Sequence, residues 1–354
     1  MTSSSATPLL PYRFAPAALG VFARAVLATT GAPREKVHAI ADVLLEGELL
    51  GYQTHGLKRL AYNFQLLQER AADHLEFDHS VQDRPVFSWD AAFQPGPWVI
   101  TEALDHSAAL AKRFGTSLGV IKRSGHTACA AAYMPKMLER GLITLLMAST
   151  PNERVICAPA GTTPVTSSTP LAFAAPSASS PMLFDFTLGA VTLGAIEQAA
   201  YDRRVLLDKA LRCADGALTD DPNAINQTPP ASILPLGGPF GMHKGFALAL
   251  MVEVLTAGLT GLLPEEATGD GESNSVSIIV IDPDKFAGVG AVQKAVDILE
   301  GYMNQDAGAR MPGSRAWQAR LGAHKDGVPI TRQTFDILTS LSQSTGIALP
   351  DNLP

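Results

Sequence analysis

The hydrophobic period of this chain changes twice along its length, and that alternation limits the possible folds more than any single motif does. Over the first third, apolar residues recur at helical spacing, and segments 14–29, 34–50, 57–70 and 98–113 read as four helices. Pro16 near the start of the first and Gly31 just past its end are the usual helix punctuation. In the second, Val37, Ile40, Ala41, Leu44 and Leu45 share one side. The middle of the chain instead carries short runs of strand formers at 118–121, 142–147, 171–174, 182–186 and 275–281. Ser/Thr/Pro/Gly loops, notably 158–170 and 176–181, separate them, and helical stretches at 130–140, 195–210 and 244–259 intervene. After Asp282 the helical period returns at 292–303 and 331–345, with no internal repeat. At 354 residues the chain exceeds what one core usually supports. The simplest architecture is α/β of the α+β kind. Residues 12–115 and 300–354 form a helical domain, 116–299 form a sheet domain, and 1–11 form a flexible arm.

Composition excludes several classes. With 46% hydrophobic and 17% charged residues the chain belongs with packed globular proteins. A net charge of −7 and no Lys/Arg-rich run argue against a nucleic-acid partner. Three cysteines, Cys129, Cys157 and Cys213, without a CxxC spacing read as reduced thiols of a cytoplasmic protein. The polar N-terminus lacks the basic start and apolar core of a signal peptide. Residues 245–263 are apolar almost throughout, but Glu253 interrupts them and Lys244 precedes them. A buried helix, and no membrane partner, is the expectation.

The common catalytic signatures are missing. No G-x-G-x-x-G follows a strand, so nothing supports a Rossmann site. Gly241-Met242-His243-Lys244-Gly245 lacks Walker A spacing, and neither G-x-S-x-G nor H-E-x-x-H occurs. The eight histidines are scattered, so no metal site is expected.

Four constellations remain, each open to a plainer reading. In Gln53-Thr54-His55-Gly56-Leu57-Lys58-Arg59, a glycine can turn an imidazole into a cleft, with a guanidinium about one helical turn away. A proton donor beside a carboxylate holder suits a 2-oxo acid, although a loop histidine and a surface arginine fit the same residues. Ser124-Gly125-His126-Thr127-Ala128-Cys129-Ala130 joins a strand to a small-residue helix, which is either an anion site at helix amides or a capped tight turn. Phe184-Asp185-Phe186-Thr187 ends an apolar run. Its aspartate is a solvated turn residue unless it is placed near His55, where it would raise the imidazole pKa and fix its tautomer. Gly237 to Gly245 runs into the apolar helix through His243-Lys244, giving either a phosphate site or a loop lysine with its head in water.

In this order, the four pieces resemble the type-2 malate/L-lactate dehydrogenases. That family includes ureidoglycolate and sulfolactate dehydrogenases, a diketogulonate reductase, and reductases of the cyclic ketimines piperideine- and pyrroline-2-carboxylate. Its S-H-G-x-x-R signature is similar to Thr54-His55-Gly56-Leu57-Lys58-Arg59, and its Asn-His loop to Gly125-His126. Its Gly-Leu-Ile helix end matches Gly141-Leu142-Ile143, and its G-T-N-P element is reduced to Ser168-Thr169-Pro170. The most specific match is Leu234-Pro235-Leu236-Gly237-Gly238, followed by Lys244-Gly245-Phe246-Ala247-Leu248-Ala249-Leu250-Met251-Val252-Glu253.

The resemblance implies a non-Rossmann cofactor domain with a mixed, mostly antiparallel sheet, and a homodimer with its active site in the interdomain cleft. It makes His55 the proton donor, with Thr54 and Asp185 as a relay behind it, and Arg59 and His126 contacts for a small carboxylate substrate. NADP or NAD would be held by His126, Thr127, Ala128, Cys129 and Ala130, and by Phe184, Asp185, Phe186 and Thr187 on the strand that Pro181 leads into. His243, Lys244, Gly313, Ser314 and Arg315 complete the set, and Arg315 as a partner for a 2′-phosphate tilts the expectation to NADP. Five positions depart from the family pattern: Gln53-Thr54 for Asp-Ser, Gly125 and Thr169 for asparagines, and Ala195 for a lysine. The expected activity is hydride transfer at C2 of a 2-oxo or 2-hydroxy acid or a cyclic 2-imino acid. The departures leave a redox-inactive binding protein, or a non-redox biosynthetic enzyme, as the alternative, and a hydrolase as a more distant one.

Overall fold

The computed structural model describes residues 12–70, 75–77, 84–267 and 273–353; the arm expected at 1–11 lies outside them. In chain order the elements begin with β1 (Tyr12–Phe14), α1 (Pro16–Ala28), α2 (Arg34–Leu49), α3 (Leu60–Arg70), β2 (Val86–Asp90), α4 (Gly96–Phe114) and β3 (Thr116–Ser124). Then come α5 (Met134–Glu139), β4 (Ile143–Ser149), β5 (Ile156–Cys157), β6 (Pro164–Thr166), β7 (Pro170–Ala175), β8 (Met182–Thr187) and α6 (Leu193–Tyr201). Short strands β9 (Leu211–Arg212), β10 (Leu218–Thr219) and β11 (Ser232–Ile233) lead to α7 (Gly238–Glu253) and β12 (Asn274–Ile281). The chain ends with α8 (Val289–Met303), α9 (Ser314–Asp326), β13 (Val328–Ile330) and α10 (Arg332–Thr345).

Two compact units result: Met1–Asp73 with Arg315–Pro354, and His74–Ser314. The sequence placed these boundaries at 115/116 and 299/300. The difference arises because α4 packs on β3 and β12 and α8 packs on β7, so both helices belong with the sheet.

In the first unit α1, α2, α3 and α10 bury Leu19, Leu27, Ile40, Leu44, Leu60, Leu67 and Leu338, the apolar stripes that the helical spacing marked. β1 pairs antiparallel with β13 across the two chain ends, and Tyr12 stacks on Phe335 at 3.8 Å between ring centroids. That ribbon ties the C-terminal segment to the helices that open the chain.

The second unit is built on a six-stranded sheet of order β2-β3-β12-β4-β7-β8. Only β2 runs parallel to its neighbour, and the other pairings are antiparallel. Side chains alternate across it. Leu146, Ala172, Ala174, Val276, Ile278 and Val280 are fully buried on one face. On the other, Leu145, Leu171 and Ile279 lie under α7, and Ile143 and Phe173 under α8. A smaller sheet of order β10-β9-β11-β5-β6, unforeseen in the sequence because its strands are two or three residues long, packs Ile156, Leu211 and Ile233 against Ile196 and Ala199 of α6.

Three local expectations are corrected. The helix expected over 195–210 stops at Tyr201, and Arg203 follows in a left-handed conformation that no helix continues through. Residues 130–140 form a 3-10 turn, Ala130–Tyr133, followed by α5. The apolar helix expected at 244–259 begins at Gly238, with Pro239 in its first turn where a proline costs nothing, and continues through a π-helical turn, Val254–Gly258. It is not a buried helix. In α7 only Gly245, Ala249 and Val252 are buried, because the sheet covers a single i, i+4, i+7 stripe, while Leu248, Leu250, Met251 and Val254 are exposed.

Candidate active site

The turn between α2 and α3 carries the histidine singled out in the sequence. The His55 amide donates to Tyr52 O at 3.0 Å, closing the turn, and a 3-10 turn, Leu57–Arg59, follows with Leu57 in the core. Thr54 Oγ1 lies 2.7 Å from His55 Nδ1. When the hydroxyl donates, the proton of the neutral ring sits on Nε2. Burial, then the nearby charges of Arg59 and Lys58, depress the His55 pKa from 6.5 to about 4. The Arg59 amide donates to Gly56 O, and its side-chain Nε is buried without a hydrogen-bond partner among the described residues. A buried guanidinium nitrogen without a partner is costly, and an anion that accepted from it would relieve the cost.

The remaining candidates lie in the other unit, where three stretches distant in sequence converge on β8. The first is 126–131. The Ala131 amide donates to Asp185 Oδ2 at 2.8 Å, and the Cys129 thiol donates to the same oxygen at 3.6 Å. Burial raises Asp185 to about 6, against the pull of these donors, and burial followed by the Asp185 charge pushes the Cys129 thiol well above its ordinary range. Tyr133, not foreseen as part of this region, donates its hydroxyl to Thr127 O at 2.7 Å and braces the loop. His126 Nδ1 accepts the Ala128 amide at 3.0 Å, which leaves Nε2 to carry the proton of the neutral ring. Ala128 itself has φ +57°, and the strain of that left-handed backbone is local to the loop.

The second stretch is 311–314. The Leu183 amide donates to Pro312 O at 3.1 Å, and Gly313, at φ +90°, lies so close that a Cβ there would strike Leu183 O. Gly313 thus lies against Leu183, next to Phe184, whose ring stacks 5.1 Å from that of the partly exposed Phe186. The third is 234–236, which pairs with 188–190 immediately after β8 through Leu236 N to Leu188 O and Ala190 N to Leu234 O. α7 therefore starts at the C-terminal end of β8. His243 and Lys244 were expected to end a loop at the helix N-terminus; they lie instead inside α7 and are exposed to solvent, because the helix starts six residues earlier. Thr187 Oγ1 donates to Ser168 O, which joins β8 to the loop before β7. Arg315 is exposed.

A family model described as malate/L-lactate dehydrogenase matches residues 14–339. The chain belongs to that family. This malate/L-lactate dehydrogenase family member is 34% identical over 242 residues to a Delta(1)-pyrroline-2-carboxylate/Delta(1)-piperideine-2-carboxylate reductase of Pseudomonas putida, covering 66% of this chain and 68% of the relative. It is 29% identical over 305 residues to a (2R)-3-sulfolactate dehydrogenase (NADP(+)) of Chromohalobacter salexigens, covering 82% of this chain and 86% of the relative. Its fold is that of a malate dehydrogenase from Entamoeba histolytica, with a TM-score of 0.84 at 22% identity over 96% of this chain and 99% of the other. The mixed α/β fold and an oxidoreductase activity with a nicotinamide cofactor follow from that membership.

The residues present fit such a cofactor. Exposed cations at Lys244 and Arg315 offer charge for phosphates, His243 is an exposed imidazole beside Lys244, Phe186 offers an exposed ring face, and Gly313 lets backbone lie against β8 without a side chain. Glu48, whose carboxyl touches the histidine turn, was missed in the sequence. The signal was available, since it falls at i+4 from Leu44 on the apolar stripe of α2, where a carboxylate is out of place.

Proposed function

We propose that this enzyme reduces a small 2-oxo acid or cyclic 2-imino acid at C2, or oxidises the corresponding 2-hydroxy or amino acid, with His55 exchanging the proton. The observation that carries this reading is the buried, unpartnered Arg59 Nε on the same turn as an imidazole already bonded at Nδ1 by Thr54. Arg59 would take the substrate carboxylate through charge-assisted hydrogen bonds. His55 Nε2 would give its proton to the developing alkoxide or amine in reduction and remove one in oxidation. When bound, the nicotinamide supplies or accepts the hydride. His126 to Ala130, Phe184 to Thr187, His243, Lys244, Gly313, Ser314 and Arg315 would hold it, and Asp185 with Thr54 would complete the proton relay.

The low pKa of His55 fits both directions. A neutral imidazole is a ready base for oxidation. In reduction, the arriving carboxylate offsets the Arg59 charge and favours the protonated ring. Arg315 would pair with a 2′-phosphate, so NADPH is the cofactor we favour, and the Chromohalobacter relative is named as an NADP(+) enzyme. We further propose a cytoplasmic homodimer that pairs through the exposed side of α7.

The test is a panel of 2-oxo acids and cyclic ketimines with NADH and NADPH, followed at the nicotinamide absorbance, for wild type and His55→Ala. Turnover of at least one substrate class is expected, with a loss of about 10²–10⁴-fold in the variant. A variant as active as wild type overturns the role of His55. Arg315→Ala should weaken NADPH selectively, and equal losses with both cofactors would remove the 2′-phosphate assignment.

A further inference from the structure

Behind the histidine turn stands a carboxyl group that the chemistry above does not use. Glu48 lies in the last turn of α2 and is 2% exposed. Its Oε2 accepts the Leu57 amide at 2.9 Å. Leu57 opens the 3-10 turn, and the first amides of any helical turn have no partner within it, so Glu48 caps this one from nine residues back. The contact continues at Gly56, where a Cβ would collide with Glu48 Oε2 and come within 2.9 Å of Glu48 N. His55 stands one residue before this contact, and Arg59 two residues after the capped amide. Glu48 Oε1 is buried and has no hydrogen-bond partner among the described residues.

We propose that Glu48 is a positioning residue for the reaction: by capping Leu57 and packing on Gly56 it fixes the turn from which His55 and Arg59 act. The inference rests on the roles given to those two residues above. Any acceptor oxygen of the right reach would serve, and the carboxyl need not be charged. Burial, opposed by the Leu57 hydrogen bond, raises its pKa from 4.5 to about 8, so the group is a neutral acid at neutral pH. An amide of the same shape keeps the acceptor. A leucine fills the volume and removes it.

The experiment measures kcat and KM for Glu48→Gln, Glu48→Leu, His55→Ala and the Glu48→Leu/His55→Ala pair, with amide exchange at Leu57 as a readout independent of turnover. Glu48→Leu is expected to lower kcat by about 10- to 100-fold, as a displacement of about 1 Å in a reacting group does, with KM for the nicotinamide cofactor unchanged. Leu57 exchange should speed up in both variants that carry Glu48→Leu and stay at the wild-type rate in His55→Ala. Glu48→Gln should restore both protection and kcat, the latter to within about threefold. In the His55→Ala background, Glu48→Leu should change the residual rate by less than about twofold, because a residue acting through His55 has nothing left to position. A second variant, Glu48→Asp, withdraws the oxygen without adding apolar bulk and should lose kcat in the same direction. Wild-type kcat in Glu48→Leu and Glu48→Asp, or an equal loss in both backgrounds, overturns the proposal while His55 keeps its role. Wild-type turnover in His55→Ala alone overturns that role first, and the positioning proposal with it.

Discussion

The Thr54 hydroxyl meets His55 Nδ1 at 2.7 Å, and adjacent residues of one turn thereby set which ring nitrogen faces away with a proton. In a ring whose charge state is already biased by burial, losing that partner frees the imidazole to rotate and to change tautomer. Thr54→Val should therefore lower kcat by roughly tenfold, the worth of one hydrogen bond, with little change in cofactor binding. Thr54→Ser should stay near wild type. Equal activity of Thr54→Val and wild type would show that the hydroxyl does not orient the ring.

The depressed pKa of His55 makes its own forecast. Protonated His55 is the form needed for reduction, and in the free enzyme it is scarce above about pH 4. kcat/KM for 2-oxo acid reduction should thus fall with rising pH across the neutral range, while oxidation, which needs the neutral ring, stays flat. Burial is the largest cause of the shift, followed by Arg59 and then Lys58. Lys58→Gln should move the break in the profile upward, though not as far as the ordinary value of 6.5, because the burial remains. A reduction profile that does not respond to Lys58→Gln would assign the titration to another group.

Arg59 is predicted to read the substrate carboxylate. Arg59→Leu should raise KM for 2-oxo acids by about 10- to 100-fold, the range for a hydrogen bond to a charged group, and leave KM for the nicotinamide cofactor alone. Substrate analogues with an amide in place of the carboxylate should show the same penalty with wild type and little further loss with the variant. A cofactor KM that rises in step would move Arg59 to the cofactor side of the reaction.

Glu48 also leaves a mark on stability, and its sign is fixed. Its folded pKa of about 8 exceeds the unfolded 4.5, so the folded state retains a proton that the unfolded chain sheds. The stability associated with that proton is full below pH 4.5 and is lost as pH rises through 8. His55 works the other way, losing stability as pH falls from 6.5 through 4, and Asp185, raised to about 6, has completed its loss by neutral pH. Between pH 6.5 and 8 the slope belongs to Glu48 among these three. Glu48→Gln, which cannot ionise, should gain on wild type by about 1 kcal/mol per pH unit across that window in thermal or denaturant unfolding. Parallel curves would mean that Glu48 is already ionised at neutral pH.

Much of this architecture was legible in the sequence because it is written in periodicity. Val37, Ile40, Ala41 and Leu44 do line the core of the first unit, and the runs around 118, 142, 171, 182 and 275 are five of the six strands of the large sheet. The strands β5, β6, β9, β10 and β11 were not legible, since two or three residues carry no alternation to detect. β2 was missed for a different reason: Val86, Phe87 and Trp89 are interrupted by Ser88, and Phe87 and Trp89 pack around His106, a contact set by α4 and invisible locally. Short motifs singled out His55, Arg59 and Asp185 as candidates, but what holds the turn of the first two and the carboxylate of the third is nonlocal. The Asp185 oxygen is fixed by the Ala131 amide, 54 residues away, and the cap on Leu57 comes from a helix that reads as ending before the motif begins.

The exposed side of α7 gives the last prediction. Gly245, Ala249 and Val252 face the sheet, and Leu248, Leu250, Met251 and Val254 are left in water, the last of them 64% exposed. A contiguous apolar face of this kind is unusual on a monomer and usual at an obligate interface, where about 800 Å² per partner is buried. The helix with its π turn is also long and apolar enough to cross a membrane. Against insertion stands Glu253, whose Oε1 accepts both the amide and the hydroxyl of Ser167 at 2.8 Å and so fastens the helix to the sheet unit. Pairing with a second copy hides the face without breaking those bonds. Light scattering on the purified enzyme should therefore give twice the chain mass at micromolar concentration. Leu250→Glu combined with Val254→Glu should give the single-chain mass with circular dichroism unchanged. A wild-type protein that is monomeric without detergent, or one that partitions into vesicles, would rule out self-pairing as the role of this face.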